Sequence, residues 1–177
     1  NTASSDVTVM SGLGDGTFMT SQIDQRLAVG LNPRGVAAAD VNRDGAVDLA
    51  TFNFDSFSVL LGNGDGTLGG PTRVPIEGLE LRQEQPASMA LLDLNLDAAA
   101  DLVASGGPAG ELHVAYSNGD GTFGPVGSTT LEAAAGNMVP ADLDADGAPD
   151  IVMVAPLNDY PVTVLLNNGG VLSLPTP

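Results

Sequence analysis

The chain has 177 residues, no Cys, no Lys and no Trp, and a formal net charge of −17 from 22 acidic residues against five Arg. The absence of Cys excludes disulfide frameworks and Cys-based metal or nucleophile chemistry. Strong acidity without basic clusters argues against nucleic-acid binding, and no apolar run approaches the ~18 residues expected of a membrane-inserted span.

Short apolar segments bounded by Gly, Asn, Asp or Pro predict β-strands along the chain. Two leading strands are predicted over roughly 7–11 and 18–29 and form a half blade within residues 1–29. Three units of four strands follow, over about 30–80 (blade 1), 81–134 (blade 2) and 135–177 (blade 3). The best helical candidate, residues 131–137, is short.

Four short antiparallel strands per 40–50 residues are typical of a β-propeller blade. We therefore predict an all-β fold with about three and a half blades, in a single repeat domain that spans residues 1–177. Because propellers need four to eight blades, the ring is expected to be incomplete in one chain. An open β-sandwich of three repeats is the alternative.

An Asp-rich loop with the pattern D-x-[DN]-x-D-G-x-x-D recurs in phase with these units and is the clearest chemical signal. Calcium takes six to eight oxygen ligands, and side chains at positions 1, 3, 5 and 9 with the carbonyl at position 7 can supply them. The spacing predicts about three Ca²⁺ ions. The predicted ligands are Asp40, Asn42, Asp44, the Ala46 carbonyl and Asp48 in loop 1; Asp93, Asn95, Asp97, the Ala99 carbonyl and Asp101 in loop 2; and Asp142, Asp144, Asp146, the Ala148 carbonyl and Asp150 in loop 3.

Other interpretations of these loops are weaker. An EF-hand would need an acidic residue at position 12, where Thr51, Ala104 and Met153 stand. Simple hairpin turns would not require four oxygen-bearing side chains at the same offsets three times, and Mg²⁺ demands stricter octahedral geometry. Loop 3 has the most carboxylates, and loop 2 has Ala98 where the others have Gly, so we predict calcium affinity in the order loop 3, loop 1, loop 2.

A second motif, Gly-Asp-Gly-Thr, recurs at 14–17, 64–67 and 119–122, and residues 163–170 form a degenerate further copy of its surroundings. Gly-rich dipeptides suit tight turns with positive φ. Asp15, Asp65 and Asp120 could cap these turns or contact an ion, and turn chemistry is the favoured interpretation.

Together the motifs resemble the FG-GAP/VCBS repeat family, most closely over Val36–Leu49 and Ser58–Thr67. The family includes the β-propellers of integrin α-subunits and certain fungal lectins. The resemblance implies a seven-bladed propeller with calcium between the first two strands of a blade. It also implies an extracellular, secreted or cell-surface module for binding or adhesion, in which calcium is structural.

The expected partners are a protein or carbohydrate ligand, with no nucleic acid and no membrane insertion. The chain is expected to form a homo-oligomer or to be part of a longer propeller. The sequence permits a lectin without specifying one, because the aromatic residues are interpreted as core or edge packing; those considered are Phe52, Phe54, Phe57, Tyr116 and Tyr160.

An enzyme is not expected, because no convincing catalytic constellation is present. His113 is the only His and is interpreted as a bystander at the start of a strand. Two alternatives stay open: part of a propeller enzyme of the polysaccharide lyase or hydrolase type, and a self-assembling surface repeat protein.

Overall fold

The computed structural model describes residues 3–18, 25–77, 88–107, 110–131, 136–154 and 162–173. Within these ranges the chain forms β-strands, turns and bends, with no helix. Among the same residues, nothing forms a helix of the length and hydrophobicity needed to cross a membrane. The predicted all-β class is confirmed.

The strands group into one two-stranded and three four-stranded sheets, each antiparallel with neighbours in chain order. The half blade consists of β1 (Asp6–Val9) and β2 (Gln25–Ala28). Blade 1 consists of β3 (Gly35–Ala39), β4 (Asp48–Phe52), β5 (Ser56–Leu60) and β6 (Thr72–Pro75). Blade 2 consists of β7 (Ser88–Leu92), β8 (Asp101–Gly106), β9 (Glu111–Ala115) and β10 (Gly127–Thr130). Blade 3 consists of β11 (Asn137–Ala141), β12 (Asp150–Val154), β13 (Val162–Asn167) and β14 (Leu172–Ser173).

Consecutive blades pack face to face and enclose two apolar cores. Side chains alternate across a strand, so blade 2 contributes to both: Leu102 and Ala104 of β8 join the core shared with blade 1, and Val103 joins the core shared with blade 3. All six residues of β8 are buried in consequence. Among the described residues the sheets form an open stack of propeller-like blades and not a closed barrel.

The leading strands are shorter than the sequence predicts. β1 ends at Val9 because the chain then enters a hairpin in which the Leu13 amide donates to the Thr17 carbonyl at 2.9 Å. β2 covers only the C-terminal part of the predicted segment 18–29, and residues 19–24 lie outside the described ranges. Most of the helical candidate, residues 132–135, also lies outside them.

Candidate functional site

The three Asp-rich loops join the first and second strands of their blades, and all three wind in the same way. Positions 4 and 6 both have a left-handed backbone in every loop. The φ angles are 61° at Arg43 and 85° at Gly45, 58° at Leu96 and 71° at Ala98, and 63° at Ala145 and 92° at Gly147. Loop 2 therefore keeps the turn although Ala98 replaces glycine, at the steric cost that a Cβ imposes in this region.

Backbone amides hold each loop around its first carboxylate. One oxygen of Asp40 accepts from the Gly45 amide at 2.9 Å, and this bond is the main reason that the pKa of Asp40 is lowered. The equivalent distances are 2.8 Å from Ala98 to Asp93 and 3.1 Å from Gly147 to Asp142. At position 5, one carboxylate oxygen accepts from the alanine amide two residues later in every loop.

The loops differ at position 3, and that difference separates loop 3 from the other two. The side-chain amide of Asn42 donates to Asp44 at 2.8 Å, and that of Asn95 donates to Asp97 at 3.2 Å. Loop 3 has a carboxylate, Asp144, instead of an amide at this position.

Asp142, Asp144 and Asp146 of loop 3 are exposed, and each offers a carboxylate oxygen within 4.8 Å of the others. Three negative charges this close repel one another unless a cation lies between them. Hard oxygen donors of this kind suit Ca²⁺. Loop 3 is therefore the candidate metal site that the described residues carry most clearly.

The aspartate at position 9 accepts backbone hydrogen bonds, a structural role that the motif does not predict. Asp48, Asp101 and Asp150 are fully buried, and each uses both oxygens to accept backbone amides. One amide comes from position 2 of the same loop and the other from the end of the third strand. The distances are 2.8 and 2.7 Å for Asp48 (Val41, Gly62), 3.0 and 2.8 Å for Asp101 (Leu94, Ser117), and 2.7 and 2.8 Å for Asp150 (Leu143, Asn167).

Position 9 thus ties the hairpin of the first two strands to the third strand. Burial raises the pKa of Asp101, against the effect of its two amide donors. Asp150 is not one of the three clustered carboxylates of loop 3. A ligand role for position 9, like that of the Ala46, Ala99 and Ala148 carbonyls, stays a prediction.

Loops 1 and 2 are each covered by the blade that follows, a contact that was not predicted from the sequence. The Ser117 hydroxyl of blade 2 donates to the Val41 carbonyl of loop 1 at 2.8 Å, and the Asn167 side-chain amide of blade 3 donates to the Leu94 carbonyl of loop 2 at 2.9 Å. In addition, Arg43 of loop 1 forms an ion pair with Asp97 of loop 2 at 2.9 Å. Alignment of the repeats could have indicated the first two contacts, because Ser117 and Asn167 occupy the same place in their copies.

The Gly-Asp-Gly-Thr motifs are turns, as predicted. In each, one Asp oxygen accepts the threonine amide at 2.9 Å and the threonine hydroxyl at 2.6 Å. The hydroxyl bond is the main cause of the lowered pKa of Asp15, Asp65 and Asp120.

The aromatic residues are used mostly for packing. Phe52 and Phe57 are fully buried with ring centroids 5.3 Å apart, and Phe54 packs against the same core. Tyr116 is partly exposed and donates to the Gly170 carbonyl of blade 3. Tyr160 lies outside the described residues.

His113 lies in the middle of β9 and not at its start, and only 2% of it is exposed. Its Nδ1 shares a hydrogen bond with the Ser128 hydroxyl at 2.7 Å. Its Nε2 is buried without a hydrogen-bond partner among the described residues. Burial is the main cause of its lowered pKa.

A cleft of about 530 Å³, here called the inter-blade cleft, lies between β6 of blade 1 and the segment 121–126 of blade 2. Its lining combines the apolar side chains of Val74, Phe123 and Val126 with the polar side chains of Thr72, Arg73, Glu77 and Thr122. Phe123 follows the third Gly-Asp-Gly-Thr turn, within the segment GTFGP. That segment was recognisable as a motif, but nothing in its sequence connected Phe123 with a binding site.

Comparison with known proteins agrees with this architecture. Residues 93–153, which include loops 2 and 3, match the family model described as an FG-GAP-like repeat. The chain carries an FG-GAP-like repeat. No curated protein matches it.

The chain is also similar to the solved structure of a lectin from Agrocybe aegerita. That structure is described as the basis of specific recognition of non-reducing terminal N-acetylglucosamine. The TM-score is 0.58 with 29% sequence identity, over 77% of this chain and 36% of the lectin chain. The chain therefore spans little more than a third of the length of that lectin.

Proposed function

We propose that the protein is an extracellular, calcium-stabilised carbohydrate-binding module. The observation that carries the proposal is the inter-blade cleft. It occurs in a chain that is similar to the solved structure of a lectin described as recognising N-acetylglucosamine. Binding sites for small molecules are typically concave and mostly apolar, with a few polar groups that fix orientation.

The chemistry of the cleft suits a sugar ring. Phe123 is half-buried and packs against the core between blades 1 and 2, so its position is fixed before a ligand arrives. Arg73, Glu77, Thr72 and Thr122 are exposed at the rim and provide both donors and acceptors. The C–H face of a sugar would lie against Phe123, and its hydroxyl or acetamido groups would contact the rim.

Calcium is proposed as a structural ion in loop 3. The three exposed carboxylates favour a divalent cation, and extracellular modules of this kind are filled at about 10⁻⁴–10⁻³ M Ca²⁺. An extracellular setting would supply that concentration. The proposal assigns no role in the site to His113, because its side chain is buried.

The test is calorimetric titration of the full chain with N-acetylglucosamine in millimolar calcium. Phe123→Ala should weaken binding at least tenfold. Phe18→Ala is the matched control, because Phe18 also follows a Gly-Asp-Gly-Thr turn but is 60% exposed and does not line the cleft.

Glu77→Gln is a second variant that does not touch the core, and it should weaken binding without changing the unfolding midpoint. If Phe18→Ala loses binding as Phe123→Ala does, the result would contradict the placement of the sugar site in the inter-blade cleft. Absence of binding by the folded parent chain would contradict the proposal.

A further inference from the structure

An Asn-Gly pair follows the third strand of each four-stranded blade, at the same repeat position. The pairs are Asn63-Gly64, Asn118-Gly119 and Asn168-Gly169. Each asparagine begins a tight turn, in which its backbone amide donates to a carbonyl further along at 3.0, 2.9 and 3.0 Å respectively. The three glycines share a left-handed backbone, with φ angles of 77°, 75° and 63°. All three asparagines are exposed, and Asn63 and Asn118 are so although another blade packs against theirs.

An Asn-Gly pair is chemically reactive, because glycine has no Cβ to hinder the approach of its nitrogen to the asparagine side chain. The glycine nitrogen loses its proton and attacks Cγ of the asparagine, the bond between Cγ and Nδ2 breaks, and ammonia leaves. Water then opens the cyclic succinimide at either carbonyl, which gives aspartate or isoaspartate. A hydrogen bond that holds the side-chain amide or the glycine amide therefore slows the reaction.

The turn in blade 2 restrains both of these groups. Nδ2 of Asn118 donates to the Thr122 hydroxyl at 2.9 Å, and the Gly119 amide donates to the Ser117 hydroxyl at 3.0 Å. The Arg43 side chain of blade 1 also covers Gly119, where an added Cβ would lie 2.8 Å from the guanidinium carbon. Slow deamidation is therefore expected at Asn118.

The turn in blade 1 restrains only the side-chain amide. Nδ2 of Asn63 donates to the Thr67 hydroxyl at 2.8 Å. Gly62 stands at the repeat position of Ser117, so there is no hydroxyl to accept the Gly64 amide. That amide has no hydrogen-bond partner among the described residues. An intermediate rate is expected at Asn63.

The turn in blade 3 restrains neither group. Val171 stands where the other turns have threonine, and it offers no hydroxyl to Asn168. The Asn167 side-chain oxygen accepts the Gly170 amide at 2.8 Å and not the Gly169 amide. In the part of the chain that the structure describes, neither the Asn168 side chain nor the Gly169 amide has a hydrogen-bond partner.

We propose that Asn168 is a deamidation site and that its conversion to isoaspartate loosens the junction between blades 2 and 3. The same turn fastens that junction. The Asn167 side-chain amide donates to the Leu94 carbonyl of blade 2 at 2.9 Å, and the Tyr116 hydroxyl of blade 2 donates to the Gly170 carbonyl. Isoaspartate adds a methylene group to the main chain between Asn167 and Gly170, so the two contacts can no longer align together.

The test is incubation of the full chain at mildly alkaline pH, followed by chymotryptic peptide mapping with mass spectrometry. Chymotrypsin separates the three pairs, because an aromatic residue or leucine flanks each turn on both sides. We expect conversion to be fastest at Asn168, slower at Asn63 and slowest at Asn118. In the urea-unfolded chain the three rates should lie much closer together, because every pair has glycine at its second position. Equal rates in the folded chain, or a lead for Asn118, would overturn the proposal.

Exchange of the matched side chains tests the cause of this order. Val171→Thr supplies a hydroxyl to Asn168 and should slow its deamidation severalfold. Thr67→Val removes the hydroxyl that holds Asn63 and should speed its deamidation by a similar factor. Both substitutions replace one β-branched residue by another of similar shape. Unchanged rates in both variants would contradict control by these hydrogen bonds.

Loosening of the junction is measured as hydrogen exchange of the Asn167 backbone amide, which donates to buried Asp150 at 2.8 Å. This amide should exchange faster in the aged, isoaspartate-containing chain than in fresh protein. Asn168→Asp is the matched control, because it carries the new charge on an unaltered main chain and should exchange as fresh protein does. Equal protection of the Asn167 amide in aged and fresh chains would contradict the loosening.

Discussion

The guanidinium of Arg43 in loop 1 lies 2.9 Å from the carboxylate of Asp97 in loop 2. A permanent positive charge is thereby held beside position 5 of loop 2, where a calcium ligand is predicted. The residue that corresponds to Arg43 in loop 2 is Leu96, which is uncharged, so position 4 of loop 2 offers loop 3 no such charge. The ion pair therefore gives a second reason, besides the carboxylate count, for the prediction that loop 2 binds calcium more weakly than loop 3.

Arg43→Gln should raise calcium affinity at loop 2 by roughly fivefold, because a cation no longer approaches a fixed charge of the same sign. Calcium titration followed by NMR of the Ala98 and Ala99 amides reports on loop 2 separately from loop 3. Arg73→Gln is the control, since Arg73 pairs with Asp55 and belongs to none of the three loops. Equal calcium affinity of loop 2 in parent and variant would contradict the competition.

Asp144→Asn and Asp150→Asn should differ in their effects on calcium affinity and on the free energy of unfolding, because Asp144 is exposed and Asp150 is fully buried. Asp144→Asn should lower calcium affinity at loop 3 and leave the unfolding free energy in EDTA unchanged or higher, since it removes a repelling charge. Asp150→Asn should cost roughly 2–4 kcal/mol in EDTA, because an amide cannot accept from both the Leu143 and Asn167 backbone amides. Chemical denaturation with and without calcium measures both effects, and similar losses in EDTA would show that the two residues do not differ as described.

Ala98→Gly should stabilise the chain by roughly 0.5–1 kcal/mol, because glycine adopts the left-handed φ of 71° without the clash of a Cβ. Ala99→Gly is the matched control next to it. Ala99 is fully buried and does not have a positive φ, so its truncation should destabilise. The measurement is the denaturation midpoint, and a lower midpoint for Ala98→Gly would mean that the Ala98 methyl group contributes packing that outweighs the strain.

His113 should make the stability of the chain fall as the medium is acidified below about pH 6.5. Its pKa is lowered in the folded state, mainly by burial, so the unfolded chain binds the proton more readily. The stabilisation from a neutral His113 is full above the unfolded pKa of 6.5 and is lost as the pH falls toward the folded value. Carboxylates also titrate under acidic conditions, so the decisive quantity is a difference between two proteins.

His113→Leu removes this titration, and its unfolding free energy should depend less steeply on pH between about 6.5 and 5 than that of the parent chain. Parallel pH profiles for the two proteins would show that His113 does not contribute. The measurement is urea denaturation at a series of pH values.

The repeats, the all-β class and the position of the loops between first and second strands could be predicted from sequence, because each depends on local spacing and on turn residues. The roles of Asp48, Asp101 and Asp150 could not, since the amides that they accept at the third strand are 14–17 residues away along the chain. Position 4 was missed for a different reason. Arg43, Leu96 and Ala145 share a left-handed backbone, yet their side chains have nothing in common that would indicate it.

The contacts between blades were also missed, because Ser117 and Asn167 act on loops that lie more than 70 residues earlier. Alignment of the repeats shows that the two residues share a position, but it does not show which loop they contact. Phe123 was overlooked because the cleft that it lines exists only when two blades are packed together. In each case the missing information is the register of one sheet against the next. Local pattern does not encode that register.

Ser117 and Asn167 each donate a side-chain hydrogen bond to the Asp-rich loop of the preceding blade, so the stack of blades is polar along the chain. Val41 and Leu94 are fully buried under the next blade, whereas Leu143, at the same position of blade 3, is 51% exposed. In both junctions the side chain that covers a loop comes from the blade that follows it in the chain. Duplication of a blade within such a stack would preserve this polarity, because each copy carries both a loop that is covered and the side chain that covers the preceding loop.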